Sequence, residues 1–145
     1  MDWKKEAAGI LRKYGHLRFS LDNIKERIRL LEKTLTQLSK TDLSERIWYQ
    51  GKDTSVGDVR LSLLVSKAEL KKVYDRTLKQ VRQMEKVVEG LDESELKTLT
   101  RFYIEPTEGG VEQLMEELGC EKSKLYRIKD KALVSFVKGL YDIKE

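Results

Sequence analysis

From Trp3 to Leu38 the apolar and aromatic side chains fall at Trp3, Ala7, Ile10, Tyr14, Leu17, Leu21, Ile24, Ile28, Leu31, Leu35 and Leu38, in steps that alternate between four and three residues. A strand repeats every two residues and cannot produce this spacing, whereas a helix gathers such positions into one narrow stripe, the seam of a coiled coil. The pattern predicts a single helix over about 3–38, roughly 55 Å long at 1.5 Å per residue. Gly9 and Gly15 interrupt it. Each costs about 1 kcal/mol relative to alanine in a helix interior, so the opening turns are expected to fray or bend.

Such a stripe needs a cover, and a second one follows. Val59, Leu63, Ser66, Leu70, Val73, Thr77, Val81, Met84, Val88 and Leu91 repeat mostly in threes and fours, which predicts a helix over about 58–90. The connector, 39–57, holds Ser39-Lys-Thr-Asp and then Gly51, Thr54, Ser55 and Gly57, residues that favour turns. Trp48 and Tyr49 within it are expected to fold back as a plug on the helix ends. Two long helices joined in this way most simply form an antiparallel coiled-coil hairpin over 1–91. The same stripes can also pair between chains, so a homodimer or higher homo-oligomer through the long helices is expected.

At Leu91-Asp92-Glu93-Ser94-Glu95-Leu96 a new helix opens. Asp92 is placed to cap an amide two or three positions on, Glu95 to reach back to the Asp92 amide, and Leu91 and Leu96 to close a hydrophobic staple. Glu105-Pro106 should stop this helix near Ile104. Beyond it, Val111, Leu114, Met115 and Leu118 give one face of a short helix, Gly119 supplies a turn, and Leu125, Ile128, Ala132, Leu133 and Phe136 mark the buried face of a longer one. Helix, glycine turn, helix is the layout of a DNA-binding helix-turn-helix, here within 92–145.

Charge is partitioned to match. Residues 93–119 carry two basic and seven acidic side chains, whereas 122–131 carry five basic ones and one acidic. Positive charge concentrated on a second helix can displace counterions from phosphates. The expected contact set is Lys122, Ser123, Lys124, Tyr126, Arg127, Lys129 and Lys131, with Arg127 suited to a two-pronged hydrogen bond to guanine. Glu112, Glu116 and Glu117 read as a solvated face, Cys120 as a small buried residue after the turn, and His16 as a surface or helix-packing residue.

Val111 to Phe136 resembles region four of bacterial sigma factors, in Glu116-Glu117-Leu118-Gly119 and in Lys131-Ala132-Leu133. Extended upstream, the chain is similar to phage-encoded transcriptional regulators of the RinA and ArpU type, with Arg101-Phe102-Tyr103-Ile104 standing where those carry an Arg-x-Tyr-Ile stretch. The resemblance implies an all-α fold and a sequence-specific regulator of phage or prophage late genes. Its partners would be double-stranded DNA and RNA polymerase; the single cysteine and the lack of a signal-like apolar stretch lead to the expectation of a cytoplasmic location. The chain departs from the sigma pattern at Met115, where a small residue is usual, at Glu121, where Ser or Thr caps the second helix, and at Ser123, where a base-contacting glutamate is common. The family's promoter preference therefore does not carry over.

Composition narrows the alternatives. One histidine and one cysteine, about a hundred positions apart, leave few nucleophile-and-base pairs. No nucleotide-binding glycine loop and no zincin spacing occurs. An enzyme, a cofactor and a metal are therefore not expected. The charged fraction of 37% and the lack of any long apolar run argue against a membrane span. Two rivals share the helical layout: a coiled-coil adaptor that binds protein, and a DNA-packaging recognition subunit of the terminase small-subunit kind. The adaptor would pack Tyr126 and Arg127 against its own long helices.

Overall fold

The computed structural model describes residues 2–39, 46–49 and 52–142, with side chains over 2–38 and 57–142. Helix α1 runs Trp3–Ser39 and α2 runs Val56–Glu89. Helix α3, Glu93–Leu99, continues without a break into a π-helical turn, Thr100–Ile104. Helices α4, Gly110–Leu118, and α5, Lys122–Leu140, complete the chain. Helices dominate, as the two stripes predict, and α1 is helical from Trp3 onward despite Gly9 and Gly15.

The connector is not simply a loop. Strands β1, Arg46–Tyr49, and β2, Lys52–Ser55, pair antiparallel, with Ile47 opposite Thr54 and Trp48 opposite Asp53. The run Ile-Trp-Tyr has the β-branched and aromatic character that suits a strand, but the Gly, Thr and Ser around it read as turn residues. The side chains of Trp48 and Tyr49, expected to act as a plug, lie outside the described residues.

Two compact units form: residues 20–78, and residues 1–19 together with 79–145. Both long helices contribute to each. In the first unit Ile24 of α1 and Val59 and Thr77 of α2 are buried, while the seam positions Ile28, Leu31, Leu63, Leu70 and Val73 are half-buried. Lys67 Nζ meets a Glu32 carboxylate oxygen at 3.3 Å. A second apolar stripe on α2, at Leu61, Leu64 and Val65, faces outward, with Leu61 63% exposed.

In the second unit the first half of α1 buries more than its seam. Ala7 and Tyr14 are buried as the spacing predicts, but so are Ala8, Gly15 and Leu11, the last with no exposure at all. Val81 and Val88 of α2, Thr98, Leu99 and Ile104, Leu114 of α4, and Leu125, Ala132, Leu133 and Phe136 of α5 complete this core. Gly15 is a point of close approach. A Cβ built there would lie 2.0 Å from the Ile104 carbonyl oxygen, so only glycine lets α1 touch the end of the π-helical turn.

Local signals set the C-terminal helices. Asp92 is the extended N-cap of α3: its carboxylate accepts from the Glu95 amide at 2.8 Å, and a Glu95 carboxylate oxygen accepts from the Asp92 amide at 3.3 Å. The other Glu95 oxygen accepts from Ser135 Oγ at 2.6 Å, which ties α3 to α5. The Glu105 amide closes the π-helical turn on the Thr100 carbonyl at 2.8 Å, and Pro106 follows directly. Helix α5 packs chiefly on α3, while α4 packs on the π-helical turn and on α3.

Candidate nucleic-acid interface

The approach to α5 is fixed by backbone. Gly119 ends α4 in the left-handed conformation, φ 61°. Its amide donates to the Glu116 carbonyl and the Cys120 amide to the Met115 carbonyl, the paired closure typical of helix ends that finish on a left-handed glycine. Glu121 then serves as an extended N-cap without a side-chain hydrogen bond to the helix. Its charge still complements the positive end of α5. Met115, where a small residue is usual in the sigma pattern, does not enter the core. It is half-buried and, with Cys120, Glu112, Glu116 and Glu121, lines an open groove of about 390 Å³. Cys120 is thus a groove residue more than a core one.

Leu125, Ala132, Leu133 and Phe136 define the buried face of α5. At 3.6 residues per turn the opposite face carries Ser123, Lys124, Arg127, Lys131 and Val134, and all five are exposed. Lys124, Arg127 and Lys131 follow one another at spacings of three and four, a ridge roughly 10 Å long. Among the described residues neither Lys124 nor Arg127 has an ion-pair partner, so their charges are available to a ligand.

The remaining predicted residues form a separate flank. Tyr126 is 40% exposed and stands edge-on to Phe102, ring centroids 5.6 Å apart. Lys122 Nζ lies 6.0 Å and Lys129 Nζ 4.6 Å from the Tyr126 centroid, and Lys129 is also 5.6 Å from that of Phe102. Only 17% of the Lys129 side chain is exposed, and its ammonium sits 3.8 Å from Asp130. Lys129 does not reach outward as the sequence predicts. Its ammonium lies over two aromatic rings, a cation–π arrangement. Tyr126 stands against Phe102 of the α3 extension, and Arg127 is exposed.

Several contributors are not evident from the sequence pattern. Phe102 also meets Tyr103, centroids 6.0 Å apart at a 43° tilt, and the Arg12 guanidinium from α1 lies 5.3 Å from the Tyr103 centroid. Lys4 Nζ reaches Asp130 at 3.4 Å. Arg101 donates to Gln113 at 3.0 Å and to Glu117 at 3.2 Å, so Glu117 is bound within the unit while Glu112 and Glu116 face solvent. Burial pushes the Tyr103 hydroxyl above the usual tyrosine range, with Asp130 and Tyr126 acting in the same sense against Arg12. Burial likewise raises Tyr14. His16 is exposed.

Among the described residues no cluster of three His, Cys, Asp or Glu side chains could hold a metal ion, and no helix is long and apolar enough to cross a membrane. The arrangement offers a cationic ridge on an exposed helix face, suited to an anionic polymer. No curated protein and no solved structure matches the chain. A family model does match, over residues 37–136, which takes in α2, α3, α4 and most of α5. By that match the chain belongs to the family described as Protein of unknown function (DUF1492).

Proposed function

We propose that the protein is a sequence-specific DNA-binding transcriptional regulator that reads the major groove with α5. In this reading α4, the Gly119 turn and α5 form a helix-turn-helix, and α1 and α2 form an antiparallel hairpin. The observation that carries the reading is the exposed ridge Ser123, Lys124, Arg127 and Lys131, with Lys124 and Arg127 free of ion pairs among the described residues. A helix of 19 residues presenting such a ridge fits the major groove, about 12 Å wide. The resemblance to sigma region four and to regulators of phage late genes points the same way. The coiled-coil hairpin is supported by the Lys67–Glu32 pair and by Leu30, Leu31, Leu63, Leu70 and Val73 lining one groove.

Homo-oligomerisation is part of the same reading. The outward stripe Leu61, Leu64 and Val65 offers a second copy an apolar face, and dimeric readers place two recognition helices one helical turn apart. The exposed carboxylates Glu112 and Glu116 stand where a basic surface of RNA polymerase could dock. The test is a titration of a mixed-sequence duplex across salt, followed by selection of bound duplexes from a random pool. Lys124→Ala and Arg127→Ala should each weaken binding, and removal of one phosphate-binding charge should flatten the log K against log salt slope by about 1. Affinity indifferent to salt and to both substitutions would reject the proposal.

A further inference from the structure

The first half of α1 carries cations on the flank that adjoins α5, and nothing in the ridge on α5 accounts for them. Counting 3.6 residues per turn from the fully buried Leu11 puts Lys5, Arg12 and His16 together on one exposed side of α1. Arg12 is held in place by the face of Tyr103. Tyr103 meets Phe102, and Phe102 meets Tyr126 of α5, through centroid distances of 5.3, 6.0 and 5.6 Å in turn. This row of rings links Arg12 of α1 to the Tyr126 flank of α5. Lys4 Nζ, 3.4 Å from an Asp130 carboxylate oxygen, makes a further contact between α1 and α5.

The chemistry of stacked arginine gives Arg12 its role. A guanidinium lying over a ring uses its π face, and the N–H groups in its plane stay free to bind a planar or tetrahedral oxyanion. Tyr103 supplies no negative charge to neutralise it, because a tyrosine hydroxyl is protonated at neutral pH. Among the described residues Arg12 forms no ion pair, and the Lys5 side chain has no partner. Two exposed cations without an ion-pair partner among the described residues therefore share the side of α1 that the ring row ties to Tyr126 of α5.

We infer that Arg12 and Lys5 of α1 form a second, sequence-independent phosphate clamp, which grips the DNA backbone flanking the groove entered by α5. The clamp rests on the DNA-binding reading above and extends the interface onto a helix that the helix-turn-helix layout does not include.

The test uses the full chain and a fluorescently labelled mixed-sequence duplex of roughly three helical turns. Arg12→Ala and Lys5→Ala should each reduce the steepness of log K against log salt by about 0.9. A fourfold rise in salt should then cost each variant about threefold less affinity than it costs the parent chain. Arg12→Lys, which keeps the charge, should restore most of the slope. The Lys5 side chain packs on no ring, so its substitution reports on binding even if Arg12→Ala disturbs the packing of Tyr103. Unchanged slopes in both alanine variants, with the slope still reduced by Lys124→Ala and Arg127→Ala, would overturn the clamp and leave the DNA reading standing. A slope reduced by none of the four substitutions would overturn both.

Discussion

Gly9 and Gly15 lie in the same helix, and the same substitution should move stability in opposite directions at the two sites. At Gly9 a new Cβ meets nothing within 4 Å. Gly9→Ala should therefore gain the full helix-propensity difference, about 1 kcal/mol. At Gly15 the Cβ would fall 2.0 Å from the Ile104 carbonyl oxygen and 2.9 Å from its carbon. An ordinary carbon–oxygen contact needs roughly 3.3 Å, so α1 and the end of the π-helical turn must separate by more than about 1 Å. The obstacle is backbone, with no flexible tip to move aside, and Ile104, Leu11 and Leu99 around it are buried. Overpacking of this kind costs about 1–3 kcal/mol, and rigid surroundings favour the upper end. Set against the propensity gain, Gly15→Ala should destabilise by about 2 kcal/mol, which places the two variants about 3 kcal/mol apart. Thermal unfolding followed by helical circular dichroism is the assay. Gly15→Ala should melt roughly 4–8 °C below the parent chain and Gly9→Ala roughly 2–4 °C above it. If Gly15→Ala stabilised the protein as Gly9→Ala does, the close approach of α1 to Ile104 would be refuted.

Three further outcomes follow from the C-terminal helices. Glu95→Ala removes both the return bond to the Asp92 amide and the acceptor for Ser135, and should cost about 1.5–3 kcal/mol in urea unfolding. Asp92 is held below the usual aspartate range, chiefly by the Glu95 amide and then by Ser94. Its contribution to stability is complete above the ordinary aspartate pKa and is lost as pH falls through the lowered value. Asp92→Asn should accordingly show a shallower decline of stability on the acid side than the parent chain, measured by urea midpoints from neutral pH downward. Phe136→Ala empties a fully buried site and should cost about 3–5 kcal/mol by the same method.

What the sequence reveals here depends on whether a contact is local. The capping box at Asp92 and Glu95, the stop at Pro106 and the turn at Gly119 are each decided within a few residues, and each is legible. The two seams are legible because a repeated burial face leaves a repeated spacing. Ala8, Leu11 and Gly15 are not legible as core: once one stripe accounts for a helix, small residues beside it carry no signal that a second surface packs there. Lys129 shows the converse limit. Its position among four other cations suggests solvent, but rings supplied by Phe102 and Tyr126 hold its ammonium inward. The aromatic row that brings Arg12 beside α5 joins residues about ninety positions apart, and no local pattern announces it.

The π-helical turn has a consequence for evolution of this chain. Thr100–Ile104 holds one residue more than an α-helical turn would, so everything up to Leu99 is phased against Arg101, Phe102 and Tyr103 by that extra residue. Exposed loop tips and chain termini ordinarily absorb insertions. Deleting a single residue here would instead rotate the preceding helix by roughly 100° relative to the three side chains. Arg101 would be parted from Glu117 and the rings from α5, so this short stretch should resist changes of length more firmly than the long helices resist changes of sequence.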